Sequence, residues 1–315
     1  MNRERMGTNS MKKCAVIGSI NMDMVVGVPR FARRGETLTG STFQTVPGGK
    51  GANQAIALAK LGVPVKMAGK VGNDLFGSRY LDHFRNVGVD VSAVSVEEGS
   101  TTGVADIIVD ADGENSIIII PGANDRCDRA WLDDALEQTK DCDIFLLQLE
   151  IPLDTVNECI RRLREMGKTI LLDPAPAVPL PEETLKRVDF ITPNETELAI
   201  ITSYLPEEAD VETRIRRLVG ESRRQVIHKR GADGAYIGDC RGVKHIPGFR
   251  VKPVDTTAAG DTFNAGLAAG LAMGLSVEEA VRLGNGAGAL AVTAFGAQGG
   301  MPTMDEVRRL MADRA

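Results

Sequence analysis

Aromatic side chains make up only 4% of this 315-residue chain, and tryptophan occurs once. A site that grips its ligand mainly by stacking has few residues to draw on. A basic excess is missing too: 37 Lys and Arg stand against 43 Asp and Glu, a formal net charge of −6. Nucleic acid and anionic membranes are bound through basic patches that release counterions, so the balance argues against both as partners. The short basic clusters at 161–162, 216–217 and 223–224 are diluted by acids and read as solvated helix faces. Cysteine is sparse: Cys14, Cys127, Cys142, Cys159 and Cys240 are scattered and form no C-x-x-C pair. That excludes a disulfide framework or a zinc site and predicts buried, reduced thiols in a cytoplasmic protein. Histidine is rarer still, and His83, His228 and His245 share no metal-ligand spacing and read as structural or surface positions. No apolar run approaches the roughly 20 residues of a membrane span. Residues 1–10 are polar and lack the apolar core of a secretory signal. Residues 1–11 are therefore expected to be a disordered extension, with Met11 an alternative start.

What is present is ordinary globular material, 43% hydrophobic and 25% charged, enough for a sizeable core. From residue 143 onward, short β-rich runs alternate with helix-patterned segments. Residues 143–149 precede 153–166, residues 169–173 precede a proline-rich loop and 182–187, and 190–192 lead into 195–202. Residues 225–228 follow the helix-like 211–221, while 15–20 and 52–61 begin the same rhythm. Near-continuous apolar strands alternating with amphipathic helices predict an α/β fold with a parallel sheet covered on both faces. Two stretches break the rhythm. Residues 23–28 with 36–46, and 104–110 with 116–120, pair strands with no helix between, the second pair around the turn Asp112-Gly113-Glu114-Asn115. They predict a small antiparallel flap, a candidate lid, drawn from about 23–46 and 102–120. Residues 260–293 carry Gly266, Gly270, Gly274, Gly284, Gly286 and Gly288. Each glycine inside a helix costs about 1 kcal/mol relative to alanine, so these predict helices pressed against one another or against a ligand.

The strongest local signal is Asp255-Thr256-Thr257-Ala258-Ala259-Gly260-Asp261 ahead of a helix-patterned segment. Small residues before a helix N-terminus leave backbone N–H groups and the positive dipole end open to a phosphate. Asp261 fits either a helix N-cap or a general base that takes a proton from an attacking hydroxyl. A second signal, Pro47-Gly48-Gly49-Lys50-Gly51-Ala52-Asn53, also precedes a helix. It lacks the spacing of a Walker A loop, since Gly51 follows the lysine where Ser or Thr would be needed. Its glycines admit close backbone approach, and Lys50 and Asn53 supply donors, though a plain tight turn would also use such glycines. A third, Thr192-Pro193-Asn194-Glu195-Thr196-Glu197, lies between strand and helix, where ligands collect in open α/β sheets. Asn194 and Glu197 can form a capping box, or Glu197 can face a hydrated Mg²⁺. Lys229-Arg230-Gly231-Ala232-Asp233-Gly234 reads as a glycine-bracketed turn between strands.

The two glycine-rich motifs in this order, with Pro193-Asn194-Glu195-Thr196-Glu197 between them, resemble the ribokinase family of sugar and nucleoside kinases over about residues 13–302. Further points of likeness are Gly18-Ser19-Ile20-Asn21-Met22-Asp23, Gly35-Glu36-Thr37, Pro121-Gly122-Ala123-Asn124, Gln148-Leu149-Glu150, Asp173-Pro174-Ala175-Pro176-Ala177 and Ala291-Val292-Thr293. The resemblance implies a three-layer α/β/α sandwich over residues 12–315, with a mostly parallel sheet of about nine strands. It also implies a β-lid that closes over the sugar and often forms a dimer contact. The implied reaction is transfer of the ATP γ-phosphoryl group to the 5-hydroxyl of D-ribose. Carried over residue by residue, Asn21, Asp23, Gly49, Lys50, Asn53 and Glu150 would hold the sugar, and Asp261 would be the base. The N–H groups of Ala259 and Gly260 would form an anion hole. Asn194, Lys229, Gly231, Gly234 and Asn285 would line the nucleotide site, joined by Gly260, and Glu197 would organise Mg²⁺. An activating K⁺ would take the Asp255 carboxylate and, largely by carbonyl, Thr257, Ala291, Ala294 and Gly296. Gly300 departs from the serine that many members place there, and Asp173 departs from a frequent asparagine.

Within the family the rivals are a nucleoside kinase, or a kinase for fructose or a keto-deoxy acid. Around the sugar motifs only Phe31 and Phe43 could stack on a base. Asp23 facing the sugar disfavours an acid through like-charge repulsion. A non-catalytic sugar-binding regulator is disfavoured because Asp261, Gly260 and Asn194 are all present. A Rossmann dehydrogenase is set aside because Gly18-Ser19-Ile20-Asn21 lacks the second glycine of its fingerprint.

Overall fold

Cys14–Ile17 (β1), Ile144–Leu147 (β8) and Thr169–Leu172 (β9) are short apolar runs buried on both faces, as strands inside a helix-covered sheet must be. The computed structural model describes residues 11–220 and 224–313. The expectation of a disordered leader therefore lies outside the described residues, Met11 excepted. In chain order the other strands are Asn21–Gly27 (β2), Thr42–Gly48 (β3), Val65–Gly72 (β4), Asp90–Glu97 (β5), Gly103–Val109 (β6) and Asn115–Ile120 (β7). They continue with Phe190–Ile191 (β10), Gln225–Lys229 (β11), Gly234–Asp239 (β12) and Gly242–Pro247 (β13). The helices are Lys50–Lys60 (α1), Leu75–Val87 (α2), Arg129–Thr139 (α3), Leu153–Glu165 (α4) and Glu182–Leu185 (α5). Glu195–Ile201 (α6), Val211–Val219 (α7), Ala259–Ala272 (α8), Val277–Ala291 (α9) and Met304–Ala312 (α10) complete them.

Nine strands form the main sheet in the order β13-β12-β11-β10-β9-β8-β1-β4-β5. Every neighbouring pair from β11 to β5 is parallel, and only the pairings of β12 with β11 and with β13 are antiparallel. One face buries Val16, Leu146, Leu171 and Ile227 beneath α1, α8 and α9. The other buries Ile17, Phe145, Ile170 and Val226 beneath α3, α4 and α7. The result is the expected three-layer α/β/α sandwich. The strand order reverses at β1, which lies between β8 and β4, so a crevice opens at the carboxyl ends of these strands.

The clustered glycines let α8 and α9 approach each other closely. A Cβ on Gly266 would lie 2.8 Å from Gly284 Cα, and one on Gly270 would lie 2.6 Å from Ala280 Cα. For these two positions, helix packing accounts for the glycine. The free thiols of Cys14, Cys127, Cys142 and Cys159 are buried as expected, but Cys240 is exposed.

The second sheet, β3-β2-β6-β7, is the expected lid with two corrections. It is mixed rather than antiparallel, because β2 pairs parallel with β6. Its strand β3 begins at Thr42 and not at 36. Glu36 is drawn into a turn instead, accepting from the Arg33 N–H at 2.9 Å and from Arg30 Nη1 at 2.8 Å. None of the described helices is long and apolar enough to cross a membrane.

Candidate active site

The chain leaves β1 through Gly18, Ser19 and Ile20 and turns back into α1 through Gly49. Gly49 has φ 87°, and a Cβ there would lie 2.7 Å from the Asn21 N–H nitrogen, so this contact requires glycine. Glu150, just beyond β8, fastens the two turns together. Its Oε2 accepts from Ser19 Oγ at 2.5 Å and from the Lys50 N–H at 3.0 Å. Asn124 donates to Asn21 Oδ1 at 2.7 Å and accepts from the Ile20 N–H at 2.9 Å. Asn21 and Asp23 stand on β2 where the lid leaves the main domain. Gly48 lies so close to the Asp23 carboxylate that a Cβ on it would overlap the acid. Burial pushes Asp23 up to about 7, and the charges of Glu150 and Asp261 push the same way. Burial alone would lower the Lys50 ammonium, but the carboxylates of Asp261, Glu150, Asp173 and Glu197 outweigh it and hold it above its ordinary value.

Asp261 is the third residue of α8 and is buried. The N-cap is Ala258, in the left-handed region at φ 58°, which corrects the reading of Asp261 as the cap. The Asp261 carboxylate turns instead toward α1. Oδ2 accepts from Asn53 Nδ2 at 3.0 Å, and Oδ1 from Gln54 Nε2 at 3.1 Å. Gln54 Nε2 also donates to Asp173 Oδ2 at 3.1 Å, and Gln54 Oε1 accepts from Gln148 Nε2 at 2.6 Å. Burial pushes Asp261 up to about 6; Lys50 opposes this and Asp173 adds to it, while the Asn53 and Gln54 bonds favour the charged form. A carboxyl poised there, inside a crevice, suits general base chemistry near neutral pH. Both residues of the expected anion hole, Ala259 and Gly260, line the adjoining cavity, and the Ala259 N–H also makes a long 3.3 Å bond to the Thr256 carbonyl within the tight turn.

Beside Gly260 opens a cavity of about 510 Å³. Asn194, Lys229, Gly231, Gly234, Gly260 and Asn285, all expected at the nucleotide, line it together. Phe249, Val251, Pro253 and Val292 supply apolar walls that sequence reasoning did not single out. Gly231 and Gly234 bracket the turn joining β11 to β12, as read from the sequence. Asn285 spends its amide on the carbonyls of Ile246 and Pro247, both at 3.1 Å, and so ties α9 to β13. Asn194 and Glu197 form the capping box of α6, with Asn194 Oδ1 accepting from the Glu197 N–H at 2.8 Å. Each Glu197 oxygen accepts one bond from Asn194, which leaves lone pairs for a hydrated cation. Burial raises Glu197, with Lys229 opposing and Asp173 adding to the shift.

The segments expected to hold K⁺ do come together. Asp255 accepts from the Thr257 and Gly296 N–H groups, both at 2.9 Å, and the Asp255 N–H reaches the Val292 carbonyl at the end of α9. Gly300 packs against the carbonyl of Ala291 so closely that a Cβ on it would overlap that oxygen. The two aromatics weighed for base stacking are both exposed, with Phe43 on β3 opposite Val26 and Phe31 in the loop after β2.

Residues 11–304 match the family described as pfkB family carbohydrate kinase. The chain is 42% identical to the ribokinase of Bacillus subtilis, over 96% of this chain and all of that protein. It superposes on the solved structure of the ribokinase from Thermotoga maritima with a TM-score of 0.89 and 37% identity, covering 96% of this chain and 99% of that one. The structure of Arabidopsis thaliana ribokinase complexed with ribose and ATP matches with a TM-score of 0.87 and 32% identity, over 96% and 99% of the two chains. This chain belongs to the pfkB family of carbohydrate kinases.

Proposed function

We propose that this protein is an ATP-dependent ribose kinase, with residues 12–315 as one kinase domain. The observation that carries the reading is the adjacency of Asp261 to Gly260. A buried carboxylate held by two amides directly follows the residue that lines the nucleotide-sized cavity. Asn21, Asp23, Gly49, Lys50, Asn53 and Glu150 hold the sugar so that its 5-hydroxyl meets Asp261. Asp261 takes the hydroxyl proton as the oxygen bonds to the γ-phosphorus, the bond to the β–γ bridging oxygen breaks, and ADP leaves. The first turn of α8 at Ala259 and Gly260, both of which line the cavity, receives the developing charge through its dipole and N–H groups.

Five carboxylates, Asp23, Glu150, Asp173, Glu197 and Asp261, surround Lys50 and Lys229 in this site. A triphosphate entering so acidic a crevice needs accompanying cations, which fits Mg²⁺ organised by Glu197. Held there by Glu197, Mg²⁺ would supply neutralisation of the phosphate charge. Potassium would be held by the Asp255 carboxylate and, largely by carbonyl, by Thr257, Ala291, Ala294 and Gly296. Gly300 brings no side-chain oxygen and crowds the carbonyl of Ala291, so activation by K⁺ is shallow. Four buried free thiols suit a reducing compartment, and we place the protein in the cytoplasm. A homodimer through the lid is supported by its exposed apolar strand: Ile117, Ile118, Ile119 and Ile120 all face solvent, with Phe43 at the other edge of the sheet. A bare apolar edge of this kind needs a cover, and a second copy provides it.

A nucleoside kinase is the second reading, and one observation favours it. Phe295 lines a cavity of about 540 Å³ with Val25 and Gln44, which lie on the Asp23 face of the lid and could flank a base. The deciding experiment is ADP release with Mg-ATP across ribose, 2-deoxyribose, fructose, adenosine and cytidine, each with and without K⁺. Ribose is expected to lead in kcat/KM by a wide margin. A leading nucleoside would overturn the ribose assignment and leave the Asp261 chemistry standing.

A further inference from the structure

Tyr80, on α2, donates its hydroxyl proton to the Gly48 carbonyl at 2.6 Å, and since a carbonyl can only accept, the direction of this bond is fixed. With that proton spent, Tyr80 Oη accepts from Gln298 Nε2 at 2.9 Å. This identifies the amino end of the Gln298 amide, whose other N–H donates to Asn53 Oδ1 at 3.0 Å. Gln298 Oε1 is left to accept from His83 Nε2 at 2.8 Å. Asn53 therefore turns its oxygen to Gln298 and its amino group to Asp261 Oδ2. Tyr80, Gln298, Asn53 and Asp261 are all buried, so water does not compete for these bonds. Lys60 anchors the loop from outside, donating to the carbonyls of Gln298 and Met301 at 2.8 and 3.2 Å.

We propose that Gln298 is a positioning residue for phosphoryl transfer: through Asn53 it holds the Asp261 carboxylate in the plane that meets the sugar hydroxyl. The inference rests on the reading of Asp261 as the base. The Asp261 charge by itself favours the amino end of Asn53, and Gln298 adds the second bond that pins the amide at both ends. The same network reaches Gly48, the last residue of lid strand β3, so the lid root, the loop at 298 and the base share one set of hydrogen bonds.

The sense of the network supplies a test that a packing role would not pass. Gln298→Met keeps the volume and removes the bonds, freeing Asn53. Gln298→Glu sets a second anion against Asp261 for the one amino end of Asn53. With both substrates saturating, kcat is expected to fall about tenfold for Gln298→Met and about a hundredfold for Gln298→Glu, with the ATP KM unchanged. In an Asn53→Ala background each loss should shrink below about twofold, because the effect travels through Asn53. Thermal unfolding identifies any variant that does not fold. If Gln298→Glu is such a variant, Tyr80→Phe takes its place, with an expected loss of about threefold that also vanishes in Asn53→Ala. Near-normal turnover in Gln298→Met, or losses that multiply with Asn53→Ala, overturns the proposal. Asp261→Asn run alongside separates the two readings. Retained turnover there removes the base itself, whereas loss there with normal Gln298 variants removes only the positioning role.

Discussion

Lys229 and Asp173 form a largely buried ion pair, Nζ to Oδ1 at 3.0 Å, between the cavity that Lys229 lines and Asp261. Glu197 Oε2 lies 3.9 Å from the same ammonium, and a Cβ on Gly260 would lie 3.4 Å from it. The other oxygen of Asp173 is held by Gln54, the amide that also holds Asp261. Asp173 thus sits between Asp261, the proposed base, and Lys229, which lines the cavity assigned to the nucleotide. The carboxylate that replaces the family's frequent asparagine has a partner here in Lys229.

An ammonium so placed stabilises charge that grows on the transferring phosphoryl group. Lys229→Met is therefore expected to lower kcat by about 10²–10³-fold, the usual loss for one such donor, and to leave the ribose KM within about twofold. It also strands Asp173 as a buried unpaired acid, which costs about 3–5 kcal/mol and lowers Tm. Steady-state kinetics and thermal unfolding on the same preparation check both halves.

The pH dependence follows from Asp261. It acts as a base only when ionised, and burial pushes it up to about 6, so kcat/KM should fall as pH drops through about 6. Asp173→Asn removes a negative neighbour, which lowers the Asp261 pKa and moves this acid limb to lower pH. An unmoved limb in a pH–rate profile of the variant would contradict the electrostatic link between the two acids.

Gly300 offers a test of backbone packing. Because a Cβ there overlaps the carbonyl of Ala291, Gly300→Ser forces the loop to shift and lowers stability by about 1–3 kcal/mol. It does not deepen K⁺ activation. A KCl titration of activity beside a thermal melt reads both, and a stable variant with stronger activation would show that the loop accommodates the serine.

The lid carries the oligomer prediction. Ile118 on β7 is 57% exposed and stands in a run of four isoleucines. Ile118→Asp should convert the proposed dimer to a monomer in light scattering, because a charge in an apolar contact has no partner. A wild-type protein that is already monomeric at micromolar concentration would remove the dimer.

Much of this was legible in the sequence for identifiable reasons. β1, β8 and β9 announce themselves because a strand buried on both faces must be apolar throughout, and the lid stands out because its strands lack helices between them. Of the six residues expected at the nucleotide, Asn194, Gly231, Gly234 and Gly260 are legible because they sit at turns or helix starts. Lys229 ends strand β11 and Asn285 lies in the middle of α9, so only the packing of α9 brings the last one to the cavity. Other features depend on packing that no local pattern encodes. Ala258 takes the left-handed cap of α8, which alanine does not favour, and this freed Asp261 to turn toward α1. Gln298 is separated from Asn53 by 245 residues and from Tyr80 by 218, so their network exists only once the loop after α9 closes over α1 and α2. The sequence places the start of β3 too early because Glu36 reads as strand, whereas its contacts with Arg30 and Arg33 hold it in a turn.

The most direct test of the account is Asp261→Asn, measured for kcat with ribose and Mg-ATP and for ribose affinity by calorimetry. Loss of a general base acts on the transition state, so kcat should fall by about a thousandfold while ribose binds with nearly unchanged Kd. Turnover within tenfold of the wild type would contradict the role of Asp261 and, with it, the mechanism.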